Sequence, residues 1–185
     1  MNSLCRKAEM ETEQMLEWGM VRDRAVAHLR QCEHIDISKH RPEAQLLILP
    51  SFTDSIVVDV IRSSDELAAY ITHWRQTTDI KAFATPVERL KHPTPFIPTY
   101  DSTRVDISTD QLDSVLTQLR RTRINLSPTT NSISVDGTSY ELNSGRGYTG
   151  IRLRWHNQLP AEWSVLNPVV DALHGMATST GYRAT

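Results

Sequence analysis

The chain has no long apolar segment. No stretch of about 18 apolar residues occurs, which is the length that a membrane-spanning helix needs. The N-terminus also differs from a secretory signal peptide, because the charged residues Arg6 and Lys7 stand where the apolar region of such a signal would begin. We therefore expect no membrane partner and a cytoplasmic location.

Cysteine is scarce, and Cys5 and Cys32 are expected to be free thiols because no export signal precedes them. Cys32 also belongs to a cluster of soft metal ligands with His34 and His40. This cluster lacks a fourth ligand, and its spacing matches neither structural nor catalytic zinc sites. The sequence contains no G-x-S-x-G nucleophile elbow. Residues 144–147 precede a predicted strand, whereas a phosphate-binding loop precedes a helix. We expect no metal and no cofactor.

An excess of positive charge is missing as well. The formal net charge is −2, whereas nucleic-acid-binding proteins usually carry a clear basic excess, so a nucleic-acid partner is not expected. Lysine is rare, with four residues against sixteen arginines. Arginine favours planar, two-point contacts with carboxylate or phosphate. The alternative explanation is the base composition of the gene, which also favours arginine codons.

The first half of the chain contains apolar patterns of both helix and strand type. Residues 3–31 carry apolar side chains at near-helical spacing and predict a long helix. Two short apolar runs, 45–49 and 55–61, predict a hairpin with a longer loop. Ser63 and Glu66 then match a helix capping box, which predicts a helix over the residues that follow. This helix would place one set of apolar residues on one face: Leu67, Tyr70, Ile71 and Trp74. Residues 80–84 are expected to form a short strand.

Proline separates this half from the rest. Four prolines between 85 and 102 exclude a regular element there, and no glycine makes the segment flexible. We expect one α+β domain over residues 1–185. The alternative is two subdomains, 1–84 and 104–185, joined by a proline-rich connector over 85–103.

The second half begins with a short predicted strand over 104–107 and a second capping box, formed by Ser108 and Gln111. The helix that this box opens has its apolar residues at positions i, i+3, i+4 and i+7. After residues 160–166, predicted as a turn carrying Trp163, Asn167 caps a final helix that is expected to stop at Gly175.

A three-stranded meander is predicted between these two helices. Asp136 and Gly137 match a two-residue type I′ turn, which would pair Val135 with Thr138 and Ile133 with Tyr140. The third strand would alternate between two faces. The fold class expected from the whole pattern is therefore α+β, with a largely antiparallel sheet packed by three to four helices.

The third strand of the meander supplies the candidate binding residues. If Ile151, Leu153 and Trp155 face inward, Arg152, Arg154 and His156 must face outward. Together with Arg146 in the preceding loop, these residues would form a surface for the acidic region of a partner protein. The alternative is a solvated face that prevents association between sheets. In that case ion pairs with Glu141 or Asp136 would neutralise the arginines.

Two classes of function follow. The class that we expect is a non-enzymatic protein-binding module of the inhibitor, immunity or regulatory kind, whose oligomeric state the sequence leaves open. The alternative is a hydrolase-like enzyme whose Asp, His and Arg residues meet only in space. A deep cavity holding two or more of His156, Asp106, Asp59 and Arg154 would favour the enzyme, and a flat polar surface would favour the module. Without catalysis, Asp59 and Asp106 would belong to the polar face of an edge or half-exposed strand.

Overall fold

Six antiparallel strands form a single sheet at the centre of the protein. The computed structural model describes residues 18–31, 41–51, 53–64, 66–83, 97–124, 136–145 and 150–179. The strands are β1 (Arg41–Pro50), β2 (Ser55–Arg62), β3 (Leu67–Trp74), β4 (Tyr100–Val105), β5 (Thr138–Ser144) and β6 (Ile151–His156). Their order across the sheet is β4-β3-β2-β1-β5-β6. One sheet therefore contains strands from both halves of the chain.

Within the described ranges, four α-helices accompany the sheet, and the expected α+β class is confirmed. They are α1 (18–31), α2 (Gln76–Phe83), α3 (Thr109–Arg121) and α4 (Asn167–Ser179). A 3₁₀ helix, Ala161–Leu166, directly precedes α4 and contributes the buried Trp163. None of the helices among the described residues is long and apolar enough to cross a membrane.

The first face of the sheet carries the larger core. Alternate residues of the central strands, such as Leu46, Val58 and Ile71, pack there against α3 and α4. The capping box predicted for α3 is present, and its apolar stripe buries Leu112 and Leu116 completely. Burying side chains of this size contributes about 1.5–3 kcal/mol each, so this face supplies much of the driving force for folding. Trp155 lies in the same core, as predicted.

The second face is covered in part by α1. Ala25, Val26 and Leu29 of this helix pack on Leu47 and Val57 of the two central strands. Four further residues belong to the same cluster: Leu49, Trp74, Trp18 and Tyr100. The aromatic rings of Trp18 and Trp74 stack with their centroids 5.9 Å apart. The predicted residues 3–17 of the first helix lie outside the described residues. The outer strands of this face carry polar side chains, and the candidate site lies there.

The segment after Ser63 is a strand, so the helix predicted for it is wrong. The Ser63–Glu66 pattern forms a tight turn between β2 and β3, in which the Ser63 backbone N–H donates to the Glu66 carbonyl oxygen at 2.8 Å. The Glu66 N–H donates to the Ser63 hydroxyl at 3.0 Å, as it would in a capping box. The same local bonds therefore serve a hairpin. Because β3 is covered on both faces, apolar residues at 67, 70, 71 and 74 also fit a strand.

Three element boundaries also differ from the prediction. Residues 80–83 belong to α2 and form no strand. Strand β4 begins at Tyr100, inside the range expected for the connector, because it continues the sheet beside β3. Helix α4 continues to Ser179. Gly175 does not end the helix, since an isolated glycine costs a helix only about 1 kcal/mol.

The strand predicted to precede the Asp136-Gly137 turn and to pair with 138–142 falls on residues that the structure does not describe. Both edges of β5 are occupied, by β1 on one side and by β6 on the other. Strand β5 therefore lies between β1 and β6 in the sheet. The chain at Gly137 meets the end of β1, where its carbonyl oxygen accepts hydrogen bonds from the backbone N–H and the hydroxyl of Ser51.

Gly137 has the positive φ that the sequence predicts, with a value of 132°. A Cβ atom at this position would lie 2.1 Å from Oδ1 of Asn157, an oxygen that accepts a hydrogen bond from the backbone N–H of Thr138.

We expect Gly137→Val to lower the free energy of unfolding by about 1–3 kcal/mol. The matched control is Gly175→Ala. Open space surrounds Gly175, so this variant should raise the free energy of unfolding by about 0.5–1 kcal/mol. Chemical denaturation of both variants measures the two changes, and equal effects would contradict the assignment.

Candidate functional site

The alternation of β6 brings the predicted binding residues to the second face of the sheet. Leu153 and Trp155 are buried on the first face, whereas Arg152 and Arg154 are exposed on the opposite one. His156 is half-buried at the end of the strand. Arg146, the fourth predicted residue, lies outside the described residues. The outward orientation of the other three follows from the pleat of the strand.

The arginines surround a buried carboxylate that the sequence offered only as a possible neutralising partner. Glu141 of β5 is the cross-strand neighbour of Arg154, and only 1% of its surface is exposed. Its carboxylate accepts hydrogen bonds from Nε of Arg154 at 2.7 Å and from Nη2 of Arg30, in α1, at 2.9 Å. Nε of Arg152 lies 3.3 Å from the same carboxylate. We call Arg30, Arg152 and Arg154 around Glu141 the arginine surface.

These contacts control the ionisation of Glu141. Burial alone would raise its pKa, but the hydrogen bonds from Arg30 and Asn143 and the positive charges of Arg30 and Arg154 outweigh burial. The pKa of Glu141 is therefore held below its ordinary value. The carboxylate remains a fixed negative charge that positions three guanidinium groups.

A chain of amides connects the arginine surface to the middle of the sheet. Asn143 accepts a hydrogen bond from Arg152 and donates one to Oε1 of Gln45 at 2.8 Å. Gln45 in turn donates to the carboxylate of Asp59 at 2.8 Å and to the backbone carbonyl of Leu29 at 3.1 Å. The polar network thus joins β6, β5, β1 and β2 to helix α1 and fixes the positions of its members.

The formal charges within this network do not cancel. Glu141 pairs with Arg152 and Arg154, so the internal neutralisation named as the alternative is present in part. Among the described residues, one carboxylate nevertheless faces three guanidinium groups, and these three positive charges exceed the two negative charges of Glu141 and Asp59 by one. The side chains of Arg152 and Arg154 remain 56% and 57% exposed. The arginine surface is therefore an anchored patch of excess positive charge.

His156 is fixed beside this patch by two hydrogen bonds. Its Nε2 lies 3.0 Å from the backbone carbonyl oxygen of Asp136, and its Nδ1 lies 3.3 Å from the hydroxyl of Ser139. Because a carbonyl oxygen only accepts, Nε2 carries a proton and donates to it, and in the neutral ring Nδ1 then accepts from the Ser139 hydroxyl. The ring therefore holds the turn at 136–137 against the end of β6, and each of its two nitrogens has a hydrogen-bond partner within the protein.

The residues considered for an enzyme are not gathered at one place. Asp59 lies on β2, and the two strands β1 and β5 separate it from His156 on β6. Three strand spacings amount to about 14 Å, which exceeds any direct contact. Asp59 is fully buried, so its expected place on an edge or half-exposed strand is wrong, because β2 is central and covered on both faces. Asp106 is exposed beyond the end of β4.

A depression formed by described residues does not combine these groups either. This shallow depression lies along α3 and contains none of the four residues; it is lined by Asp110, Asp113, Ser114, Thr117, Gln118, Arg121 and Thr122. All the residues that the structure describes contain no group of three or more His, Cys, Asp or Glu side chains that could hold a metal ion. Cys5, Cys32, His34 and His40 lie outside the described residues.

Sequence reasoning missed Arg30, Gln45 and Asn143. Arg30 and Glu141 are 111 positions apart, and Gln45 and Asn143 are 98 positions apart, so no local pattern connects them. The one local signal was the charged Glu141 in a predicted strand, on the face opposite Tyr140. Comparison of the chain with protein-family models, with curated proteins and with solved structures finds no match.

Proposed function

We propose that the protein is a cytoplasmic, non-enzymatic binding module of the inhibitor, immunity or regulatory kind, which binds an acidic segment of another protein. The binding site in this proposal is the arginine surface. The observation that carries it is the arrangement of Arg152 and Arg154, two exposed guanidinium groups held by the buried carboxylate of Glu141.

The anchoring of these side chains favours ligand binding. A free arginine side chain loses up to about 2 kcal/mol of conformational freedom when a ligand fixes it. Arg152 and Arg154 lose part of this freedom on folding, because Nε of each is already bonded inside the protein. A ligand that binds their remaining N–H groups therefore meets a smaller entropic cost.

The distribution of charge supports a specific acidic partner. The chain as a whole is slightly negative, so the positive patch is a local feature that does not attract polyanions over the entire surface. The two most exposed guanidinium groups of the patch, those of Arg152 and Arg154, lie side by side on one strand of the sheet. Guanidinium groups on such a surface match the carboxylates of a protein segment by two-point hydrogen bonding.

The double variant Arg152→Glu, Arg154→Glu tests this function. We expect a fluorescein-labelled poly-glutamate peptide to bind the unaltered protein at low salt. The double variant should lose about tenfold or more in affinity, because like charges at an interface cost several kcal/mol. Raising the salt should weaken binding to the unaltered protein, since exposed charges are screened beyond about 10 Å at 0.1 M salt. Fluorescence anisotropy measures each affinity.

The matched control is Arg104→Glu. Arg104 lies on the same face at the opposite edge of the sheet, is also more than half exposed and also forms an ion pair, with Glu66. Its reversal should leave binding nearly unchanged. Equal losses in the control and the double variant would contradict the proposal. So would equally strong binding of a single-stranded oligonucleotide of the same charge, because the patch would then attract any polyanion.

A further inference from the structure

The outer edge of β6 has a hydrogen-bonding pattern that complements the arginine surface. Among the described strands, β6 is the last of the sheet and pairs on one side only. The backbone N–H of Asn157 donates to the Thr138 carbonyl, so this pair is hydrogen-bonded. Bonded and non-bonded pairs alternate along an antiparallel ladder. The register then leaves Arg152 and Arg154 in non-bonded pairs with β5, and their own N–H and C=O groups point outward.

The side chains of the same two residues also have bonding capacity to spare. Arg152 and Arg154 use only Nε in their contacts with Asn143 and Glu141. Within the described part of the chain, their Nη groups take part in no hydrogen bond. Each residue therefore offers backbone groups at the edge and two N–H₂ groups on the second face. Their spacing along the strand is about 7 Å, the distance between alternate residues of any strand.

The charge of this edge limits what can pair with it. A second copy of β6 would place arginine against arginine, and like charges directly opposite each other on paired strands are destabilising. A strand with acidic residues at the same positions would instead form opposite-charge pairs. On the first face, Ile151 is 48% exposed at the margin of the core, and an apolar side chain on the incoming strand would cover it.

We infer that the acidic partner binds as an additional antiparallel strand at the outer edge of β6, with an acidic residue at every second position and apolar residues between them. This inference depends on the proposed function and names the form of the partner. The acidic residues lie opposite Arg152 and Arg154, and their own N–H groups donate to the arginine carbonyl oxygens. Backbone bonds supply affinity, and the alternating side chains supply specificity.

Two peptides of identical composition and charge test strand addition on the full-length protein. One alternates valine and glutamate, and the other carries the same residues as separate blocks. We expect the alternating peptide to bind about tenfold or more tightly, because it adds main-chain hydrogen bonds to the charge pairs. Equal affinity of the two peptides, with both lost in the Arg152→Glu, Arg154→Glu variant, would overturn strand addition but leave the proposed function standing. Binding of neither peptide would overturn both.

N-methylation of the alternating peptide distinguishes strand addition from a purely electrostatic contact. Methyl groups on the glutamate nitrogens remove the donors that face β6, and we expect this peptide to lose binding. Methyl groups on the valine nitrogens lie on the far edge, and this peptide should keep most of its affinity. Both derivatives retain the charge and order of residues. Equal effects of the two methylation patterns would overturn the inference.

Discussion

Replacing Trp74 with alanine is expected to lower the free energy of unfolding by about 3–5 kcal/mol. Trp74 is completely buried on the second face, stacks on Trp18 and packs under α1. Its indole N–H donates to the carboxylate of Asp79 at 2.7 Å, and this carboxylate also accepts from the backbone N–H of Thr99. The alanine variant would leave a large cavity and remove the donor at the same time. Urea denaturation followed by circular dichroism measures the loss.

Trp74→Phe separates the two contributions. This variant keeps most of the ring volume but leaves the buried Asp79 without the indole donor. An unsatisfied buried group costs about 1–3 kcal/mol, so the phenylalanine variant should lie between the unaltered protein and the alanine variant. A phenylalanine variant as stable as the unaltered protein would show that the bond to Asp79 contributes nothing. A small loss in the alanine variant would contradict the burial of Trp74.

Glu141→Gln should lower the free energy of unfolding by about 2–3 kcal/mol at neutral pH. Loss of one partner from a buried ion pair costs about 3–5 kcal/mol, and the exposure of Arg152 and Arg154 reduces this figure because water can solvate them. The folded-state pKa of Glu141 lies below its ordinary value of 4.5. The carboxylate therefore stabilises the fold above that pH, and its contribution is lost as the pH falls through the folded-state pKa.

The pH dependence gives this prediction a signature of its own. The difference in stability between the unaltered protein and Glu141→Gln should be largest at neutral pH and should shrink below about pH 4.5. Glu66→Gln is the matched control, because Glu66 also pairs with an arginine, but both side chains are about half exposed. Its effect should remain within about 1 kcal/mol. A difference for Glu141→Gln that stays constant from neutral to acidic pH would contradict the role of its charge.

Local signals predicted those parts of the fold that local bonds determine. The capping box at Ser108 and the alternation of β6 were read correctly, because each depends on neighbours within a few residues. The pattern at Ser63 and Glu66 failed because its hydrogen bonds suit a tight turn as well as a helix start. The pairing of β3 with β2 and β4 decides between a tight turn and a helix start, and a short stretch of sequence carries no information about that pairing.

The candidate site was predictable only where one strand determines it. The outward row of Arg152 and Arg154 follows from the alternation of side chains along β6. The position of Glu141 beside this row follows from the face of β5 on which Glu141 lies. Arg30 and Gln45 reach the site because α1 covers the second face and β1 pairs with β5. Asp59 was expected near the surface because strands with one wet face are common, but β2 is covered on both sides.

The place of β5 beside β1 has a consequence for the newly made chain. Strand β1 lies inside the finished sheet, yet Ser51 at its end and Gly137 beside it are 86 positions apart. While the ribosome translates the intervening residues, β1 has an open edge with aliphatic side chains on both faces. Edges of this kind recruit strands from other chains. We therefore expect nascent chains that stall before Thr138 to expose an aggregation-prone edge, which β5 covers in the folded protein.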